Sequence, residues 1–397
     1  MFLIEKIVRM ESLCSEKGEV NLQHVMDQLL KRIEFCGYSR RNFAEKIKVS
    51  RETFRRGLIC EYEMDVAVFF QSIEILFEHP TEKRKIIREF FNMCESISNI
   101  EVALIYCQVQ GEYNLMQHLI TKHENKTNLG IFFSIYKLFN KRNRNELKGQ
   151  ALHDELNKRR FSSNPHCQVM VNILYMLALA DKPNNNAIIE YVDAVEENLK
   201  KIKKGQIKDY LSMLANERKA YMYLWRVQLD ECRETCYKII NSSLDIPIVK
   251  ATSLCCVGES YQFESPIMSE KFIEQSIKKL EEVNVPVKTQ KYIAFQSTLA
   301  HVRITNNLNI DKIDVTVIHE NEQANYEYNY GDRELGVLMF EQMKRKGFTP
   351  FQRLSYSKCI GDMEGIKEAL LEFELAGLSF YGQLCKDILM NKGEVLQ

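Results

Sequence analysis

A chain of 397 residues with 54 Lys and Arg against 54 Asp and Glu carries no formal net charge, which excludes a whole-protein field favouring nucleic acid or membrane. Its 16 Gly and 7 Pro are few for a strand-and-turn protein, so we expect an all-α fold of roughly two or three domains. No apolar run approaches the roughly 20 residues of a membrane span, and the opening MFLIEKIVRMES is a poor signal peptide. Twelve scattered cysteines without a C-x-x-C pair predict buried reduced thiols, a cytoplasmic protein and no metal site.

The first part of the chain predicts three short helices, over residues 22–35, 40–47 and 51–56. Gly37 and Gly57 are expected to end the first and third of them. Ser39 and Ser50 are N-cap residues for the second and third, because a serine hydroxyl accepts a hydrogen bond from the first turn of a helix. Cap serines eleven residues apart around a tight turn are typical of a helix-turn-helix.

Positive charge is concentrated in this segment. Residues 31–60 contain nine Lys and Arg and three Asp and Glu, a local net charge of 9 − 3 = +6. An arginine guanidinium can grip a phosphate or the O6/N7 edge of guanine with two hydrogen bonds, so the segment predicts a surface that docks on a duplex. The alternative is a solvated basic face on a helical bundle.

The residues Ser39, Phe43, Ala44, Val49, Ser50 and Phe54 follow a spacing that resembles the helix-turn-helix of phage repressors. Phe43 stands where leucine is usual in that family. The resemblance implies that the third helix is the recognition helix and that the second helix faces the DNA backbone. The DNA-binding residues it implies are Arg40, Arg41, Ser50, Arg51, Glu52, Thr53, Arg55 and Arg56.

A helix over 61–77 is expected to complete a DNA-binding domain at 1–79, followed by a repeat domain at 80–397 with dimerisation or capping helices at its end. Helix pairs follow to the C-terminus, and the pairs starting near 206 and 249 share one plan. Their offset, about 35–39 residues, is that of tetratricopeptide-like repeats, which stack into an α-solenoid. We expect one helix over 322–346 and a loop over 306–320.

Catalytic and cofactor-binding motifs are absent from the sequence. There is no phosphate-binding G-x-x-x-x-G-K-[ST], and GESYQ at 258–262 departs from the nucleophile-elbow pattern. His118 and His123 are five residues apart, which does not place two metal ligands on one helical face. We therefore predict a protein that is not an enzyme and needs no cofactor.

Three segments further along the chain carry a second resemblance: NPHCQVMVNILYMLALADKP, IKDYLSMLANERKAYMYLWRVQLDECR and FQRLSYSKCIGDMEGIKEALLEFELAG. Together with the helix-turn-helix, they are similar to the arbitrium receptor (AimR) group of Bacillus phages. The resemblance implies a homodimer that binds an operator of double-stranded DNA near lysis–lysogeny genes. It also implies control by a short signalling peptide with a basic position, bound in the repeat groove by Asn216, Tyr221, Glu259 and Gln262.

Two alternatives stay open at this point. Tyr221 and Glu259 stand where asparagine is expected in the group, so the chain could be a paralogue that acts through protein–protein interaction without a peptide. The helix over 378–389 is apolar on more than one side. Either a partner subunit covers it, or it packs on the helix that precedes it.

Overall fold

The computed structural model describes residues 21–181 and 186–392, and the opening segment MFLIEKIVRMES lies outside them. Within the described residues the protein is all-α, with 21 α-helices and no strand, which confirms the predicted fold class. The chain divides into two compact units, with the boundary between Ala103 and Leu104.

The first unit contains the predicted helix-turn-helix. Its helices are α1 (Leu22–Phe35), α2 (Arg40–Lys46), α3 (Arg51–Leu58), α4 (Val66–Leu76) and α5 (Pro80–Met93), and α6 (Ile97–Gln110) runs across the unit boundary. Phe69 of α4 stacks on Phe90 of α5, with ring centroids 4.0 Å apart, so α5 belongs to the first core. The domain limit at 79/80 stays a prediction.

Both predicted cap serines begin their helices. Ser39 accepts a hydrogen bond from the Asn42 amide at 3.2 Å, and Ser50 accepts one from the Thr53 amide at 3.0 Å. Between the two helices, Lys48 adopts a left-handed backbone conformation with φ 57°. The buried faces of the two helices meet at Phe43 and Phe54, with ring centroids 5.6 Å apart.

Two predicted helix limits in this unit are wrong. Gly57 lies inside α3 rather than ending it, because it is buried close to Met64 and the helix continues to Leu58. The next helix starts at Val66 rather than at residue 61, because the Asp65 side chain caps it through the Ala67 amide.

The second unit continues as helix pairs to the C-terminus. The helices are α7 (Tyr113–Lys122), α8 (Gly130–Asn143), α9 (Gly149–Asn157), α10 (Pro165–Ala180), α11 (Ile188–Lys201), α12 (Gln206–Trp225), α13 (Leu229–Ile240), α14 (Pro247–Ser260), α15 (Pro266–Glu281), α16 (Gln290–Asn306), α17 (Glu320–Tyr330), α18 (Arg333–Lys346), α19 (Pro350–Ile360), α20 (Met363–Leu375) and α21 (Ser379–Asn391). Adjacent helices pack in hairpins, and α10, α12, α14 and α16 contact one another in that order. The first helices of successive pairs therefore form a common layer.

The segment between α16 and α18 differs partly from the prediction. Residues 307–319 contain two short 3₁₀ turns and no strand, as expected for a loop. The single helix expected over 322–346 is instead a hairpin of α17 and α18. Gly331 separates them, and the Asp332 side chain caps α18. Gly336 allows close packing, because a Cβ there would come 2.5 Å from the Tyr328 amide nitrogen.

The C-terminal helix α21 packs within the chain. Leu378, Cys385 and Leu389 are buried in a cluster with α20, and Phe380 joins a second cluster formed by α12, α13 and α14. The apolar side chains of the helix predicted over 378–389 are therefore covered by other helices of the same chain, so a partner subunit is not needed to cover them. On α20 and α21, the large apolar side chains that stay exposed are Leu371, Leu375 and Met390.

Candidate nucleic-acid interface and ligand cavity

The helix-turn-helix presents one exposed polar face. All eight side chains predicted to bind DNA are exposed: Arg40, Arg41, Ser50, Arg51, Glu52, Thr53, Arg55 and Arg56. Phe54 and Leu58 on the opposite face of α3 are buried, so the arginines of this helix point outward. Ser50 and Thr53 also bond to each other, with their hydroxyl oxygens 2.6 Å apart, so the Ser50 hydroxyl already serves the cap.

Three arginines of α3 have carboxylate neighbours. Arg51 Nε donates to Glu45 Oε1 at 3.1 Å, and Arg55 makes two hydrogen bonds to Glu52, the shorter at 2.7 Å. Arg56 Nε lies 3.0 Å from Glu61 Oε1. Hydrogen bonds from the arginines lower the pKa of Glu45 (to Arg51) and of Glu52 (to Arg55), so both carboxylates stay ionised at neutral pH.

These ion pairs are on the surface. The side chains of Arg51, Arg55 and Arg56 are 52%, 48% and 44% exposed. Water and salt screen exposed ion pairs, which makes them weak, so a phosphate that offers a charge-assisted hydrogen bond can replace the carboxylate. The face can therefore bind a polyanion, and Glu45, Glu52 and Glu61 reduce its strength.

The second unit contains a cavity of about 430 Å³ between the layer of first helices and the C-terminal hairpins. That volume is within the usual range for a ligand site, about 300–1,000 Å³. The polar side chains that line it include Glu259, Gln262, Ser297, Thr298, His301, His319, Asn321, Glu322, Thr349, Gln352 and Tyr381. Phe351 adds an aromatic wall.

Glu259 is the most enclosed acidic group of this cavity, with 6% of the residue exposed. Its Oε1 accepts a hydrogen bond from the Tyr221 hydroxyl at 3.1 Å, and its Oε2 accepts one from the Tyr381 hydroxyl. The Cys255 thiol contacts Oε1 at 3.6 Å. The carboxyl is held by neutral donors rather than by a Lys or Arg, and burial raises its pKa.

Three further titratable groups, Glu322, His301 and His319, line the cavity together with Glu259. Burial raises the pKa of Glu322 on α17 to about 7. Burial lowers the pKa of His301 on α16 to about 4 and also lowers that of His319. Both histidines are therefore neutral at pH 7, and the cavity offers two carboxyl groups that a cation would stabilise in the ionised form.

Two buried polar atoms at this cavity have no hydrogen-bond partner among the described residues. They are Gln262 Nε2, a donor, and Asn321 Oδ1, an acceptor. An unsatisfied buried amide atom costs on the order of 1–3 kcal/mol. A bound molecule with a carbonyl and an N–H group, such as a peptide backbone, would satisfy both.

The structure brings together three of the four residues predicted to bind a peptide. Glu259 and Gln262 line the cavity, and Tyr221 reaches it through Glu259. Asn216 instead lines a separate cavity of about 140 Å³ with Glu196 and Lys219. His301, His319, Asn321, Glu322 and Gln352 also line the cavity, and no sequence pattern indicated them, because the segments that carry them converge only in the folded chain.

The family model of AimR transcriptional regulator-like proteins matches residues 83–387, which make up most of the chain. The chain belongs to the AimR transcriptional regulator-like family. It is 24% identical to an uncharacterized Bacillus anthracis protein, pXO2-35, over 62% of this chain and 93% of that protein.

Two solved structures share the AimR fold. The structure of phAimR with its ligand superposes with a TM-score of 0.72 at 16% identity, covering 84% of this chain and 99% of that one. Selenomethionine phAimR gives a TM-score of 0.56 at 15% identity, covering 94% and 98%. Every helix within residues 21–181 and 186–392 is too short or too polar to span a lipid bilayer.

Proposed function

We propose that this AimR-like protein is a DNA-binding transcriptional regulator of a phage or prophage, controlled by a short signalling peptide. The peptide binds in the cavity at Glu259, and the protein reads an operator near lysis–lysogeny genes with α3. The observation that carries the proposal is the cavity itself. It combines two carboxyl groups, Glu259 and Glu322, with an unpaired amide donor and an unpaired amide acceptor.

The cavity chemistry favours a cationic peptide over an anionic or purely apolar ligand. An Arg or Lys side chain would pair with Glu259, whose present partners are tyrosine hydroxyls and a thiol. The peptide backbone would bond to Gln262 and Asn321. Membership of the AimR-like family and the existence of a phAimR structure with a ligand are consistent with this reading.

The DNA-binding part of the proposal rests on the exposed arginines of α3 and on the caps that begin α2 and α3. It is tested by mixing the full-length protein with sheared host and phage DNA, recovering the bound fragments and sequencing them. The proposal requires a few recurrent fragments that share a motif. Recovery of random fragments would contradict operator recognition.

We further propose that the protein acts as a homodimer through α20. Leu371 and Leu375 lie one turn apart on one face of this helix and are 57% and 69% exposed. Met390 on α21 is 54% exposed. A dimer also suits an operator with two half-sites.

Replacing Leu371 and Leu375 together with glutamate should convert the dimer into a monomer, because the charges would be buried without partners at the interface. Light scattering across a range of protein concentrations measures the mass. Ile267→Glu is the matched control, since Ile267 on α15 is also exposed, at 71%. A double variant that remains dimeric would place the interface elsewhere, and a monomeric wild type would contradict the dimer.

A further inference from the structure

Three cysteines converge between α13 and α14. Cys232 and Cys236 lie one turn apart on α13, and Cys256 faces them from α14. All three are buried, their Sγ atoms lie within 4.8 Å of one another, and the Sγ atoms of Cys232 and Cys256 are 3.5 Å apart. No sequence spacing marks this group, because its third member follows Cys236 after a turn and most of another helix.

The arrangement fits a three-coordinate metal. With a metal–sulfur distance of about 2.3 Å, three sulfurs in a trigonal plane lie about 4.0 Å apart. The three Sγ atoms already approach this separation, so small side-chain rotations complete the site. A tetrahedral ion would need a fourth donor, and the cluster as described provides three.

The three cysteines have no solvent-exposed surface, so bulk water does not reach them as a fourth ligand. Ala220, Leu224, Val257 and Phe380 enclose the thiols in one buried apolar cluster. Zinc prefers four ligands, whereas soft thiolates also select Cu(I). A closed site of three sulfurs therefore favours a soft monovalent cation.

We propose that Cys232, Cys236 and Cys256 form a binding site for Cu(I). The three thiols line neither the cavity at Glu259 nor the exposed face of α3, but Tyr221 and Tyr381, which donate to Glu259, pack against the same apolar cluster. Copper titration of the protein without peptide or DNA therefore tests the site separately from the proposed function.

Anaerobic titration of the reduced full-length protein with Cu(I), in competition with the chelator bicinchoninate, tests the site. We expect one Cu(I) per chain, and X-ray absorption of the loaded protein should report about three sulfur neighbours near 2.3 Å. Cys232→Ser, Cys236→Ser and Cys256→Ser should each weaken binding by more than about 100-fold, above the 10- to 100-fold cost of losing an outer-sphere partner.

Cys255→Ser is the matched control. Cys255 is adjacent to Cys256 on the same helix and equally buried, but its thiol contacts Glu259 and lies outside the cluster. Circular dichroism identifies any serine variant that fails to fold. The Cu(I) affinities of the folded variants and the X-ray absorption of the wild type then decide whether the three cysteines bind Cu(I). Loss of Cu(I) to the chelator, unchanged affinity in the folded serine variants, or retention of Zn(II) but not Cu(I) would each overturn the proposal.

Discussion

Replacing Arg51, Arg55 and Arg56 together with alanine should weaken DNA binding and flatten its salt dependence. Each arginine that contacts a phosphate releases counterions, so the slope of log affinity against log salt should fall by about one for each lost contact, about three in total. Fluorescence anisotropy with a captured DNA fragment at several salt concentrations measures the slope. An unchanged slope would remove α3 from the interface.

Neutralising the neighbouring carboxylate should have the opposite effect. Glu52→Gln leaves Arg55 without its two-hydrogen-bond partner, so we expect tighter DNA binding than in the wild type.

The matched control for the triple arginine variant is Lys200→Ala, Lys201→Ala and Lys204→Ala, which removes the same charge from an exposed surface of the second unit. It should leave the salt slope close to that of the wild type.

Glu259→Gln should weaken binding of a peptide that carries Arg or Lys by roughly 1.5–3 kcal/mol, the contribution of a hydrogen bond to a charged group. Calorimetry with a peptide encoded beside the gene measures the affinity. Equal affinity of the variant and the wild type would contradict a role for Glu259, and absence of heat at micromolar concentrations would contradict peptide binding.

Two controls separate loss of charge from altered packing. Tyr381→Phe removes a hydroxyl that donates to Glu259 but keeps the carboxylate, so we expect a smaller loss, about 0.5–1.5 kcal/mol. Glu282→Gln changes one exposed charge of the same unit and should leave the affinity unchanged.

The peptide affinity should also depend on pH. Burial raises the pKa of Glu322 to about 7, so below that pH a cationic ligand must first displace the proton of this carboxyl. Affinity should therefore rise as the pH increases to about 7 and level off above it. In Glu322→Gln this part of the dependence should disappear.

Local signals in the sequence were sufficient to predict where the first three helices begin. Ser39 and Ser50 placed the starts of α2 and α3 because a cap is a contact between residues three apart. The predicted limits of α1, residues 22 and 35, agree with the structure for the same reason, since apolar spacing and the flanking cap or turn residues lie within a few positions. Gly57 was misread because its small size serves packing against Met64, which the sequence alone does not show.

The cavity depends on contacts across long sequence separations. Glu259 meets Tyr381 although 122 residues separate them, and Glu322 and His301 reach the same space from two further helices. The family resemblance correctly indicated the helices that carry Tyr221 and Glu259. It also grouped Asn216 with these two residues, but Asn216 of α12 lines the separate, smaller cavity. Convergence of this kind follows from how the helix pairs stack, so residue spacing cannot predict it.

The most direct test of peptide-controlled DNA binding is the affinity of the full-length protein for its captured DNA fragment at increasing peptide concentration. We predict that the peptide changes the wild-type DNA affinity by about 5- to 150-fold, the usual range of coupling between two sites. In Glu259→Gln the same change should require a higher peptide concentration. DNA affinity that stays constant at every peptide concentration would contradict the account and favour a paralogue that acts through protein–protein interaction.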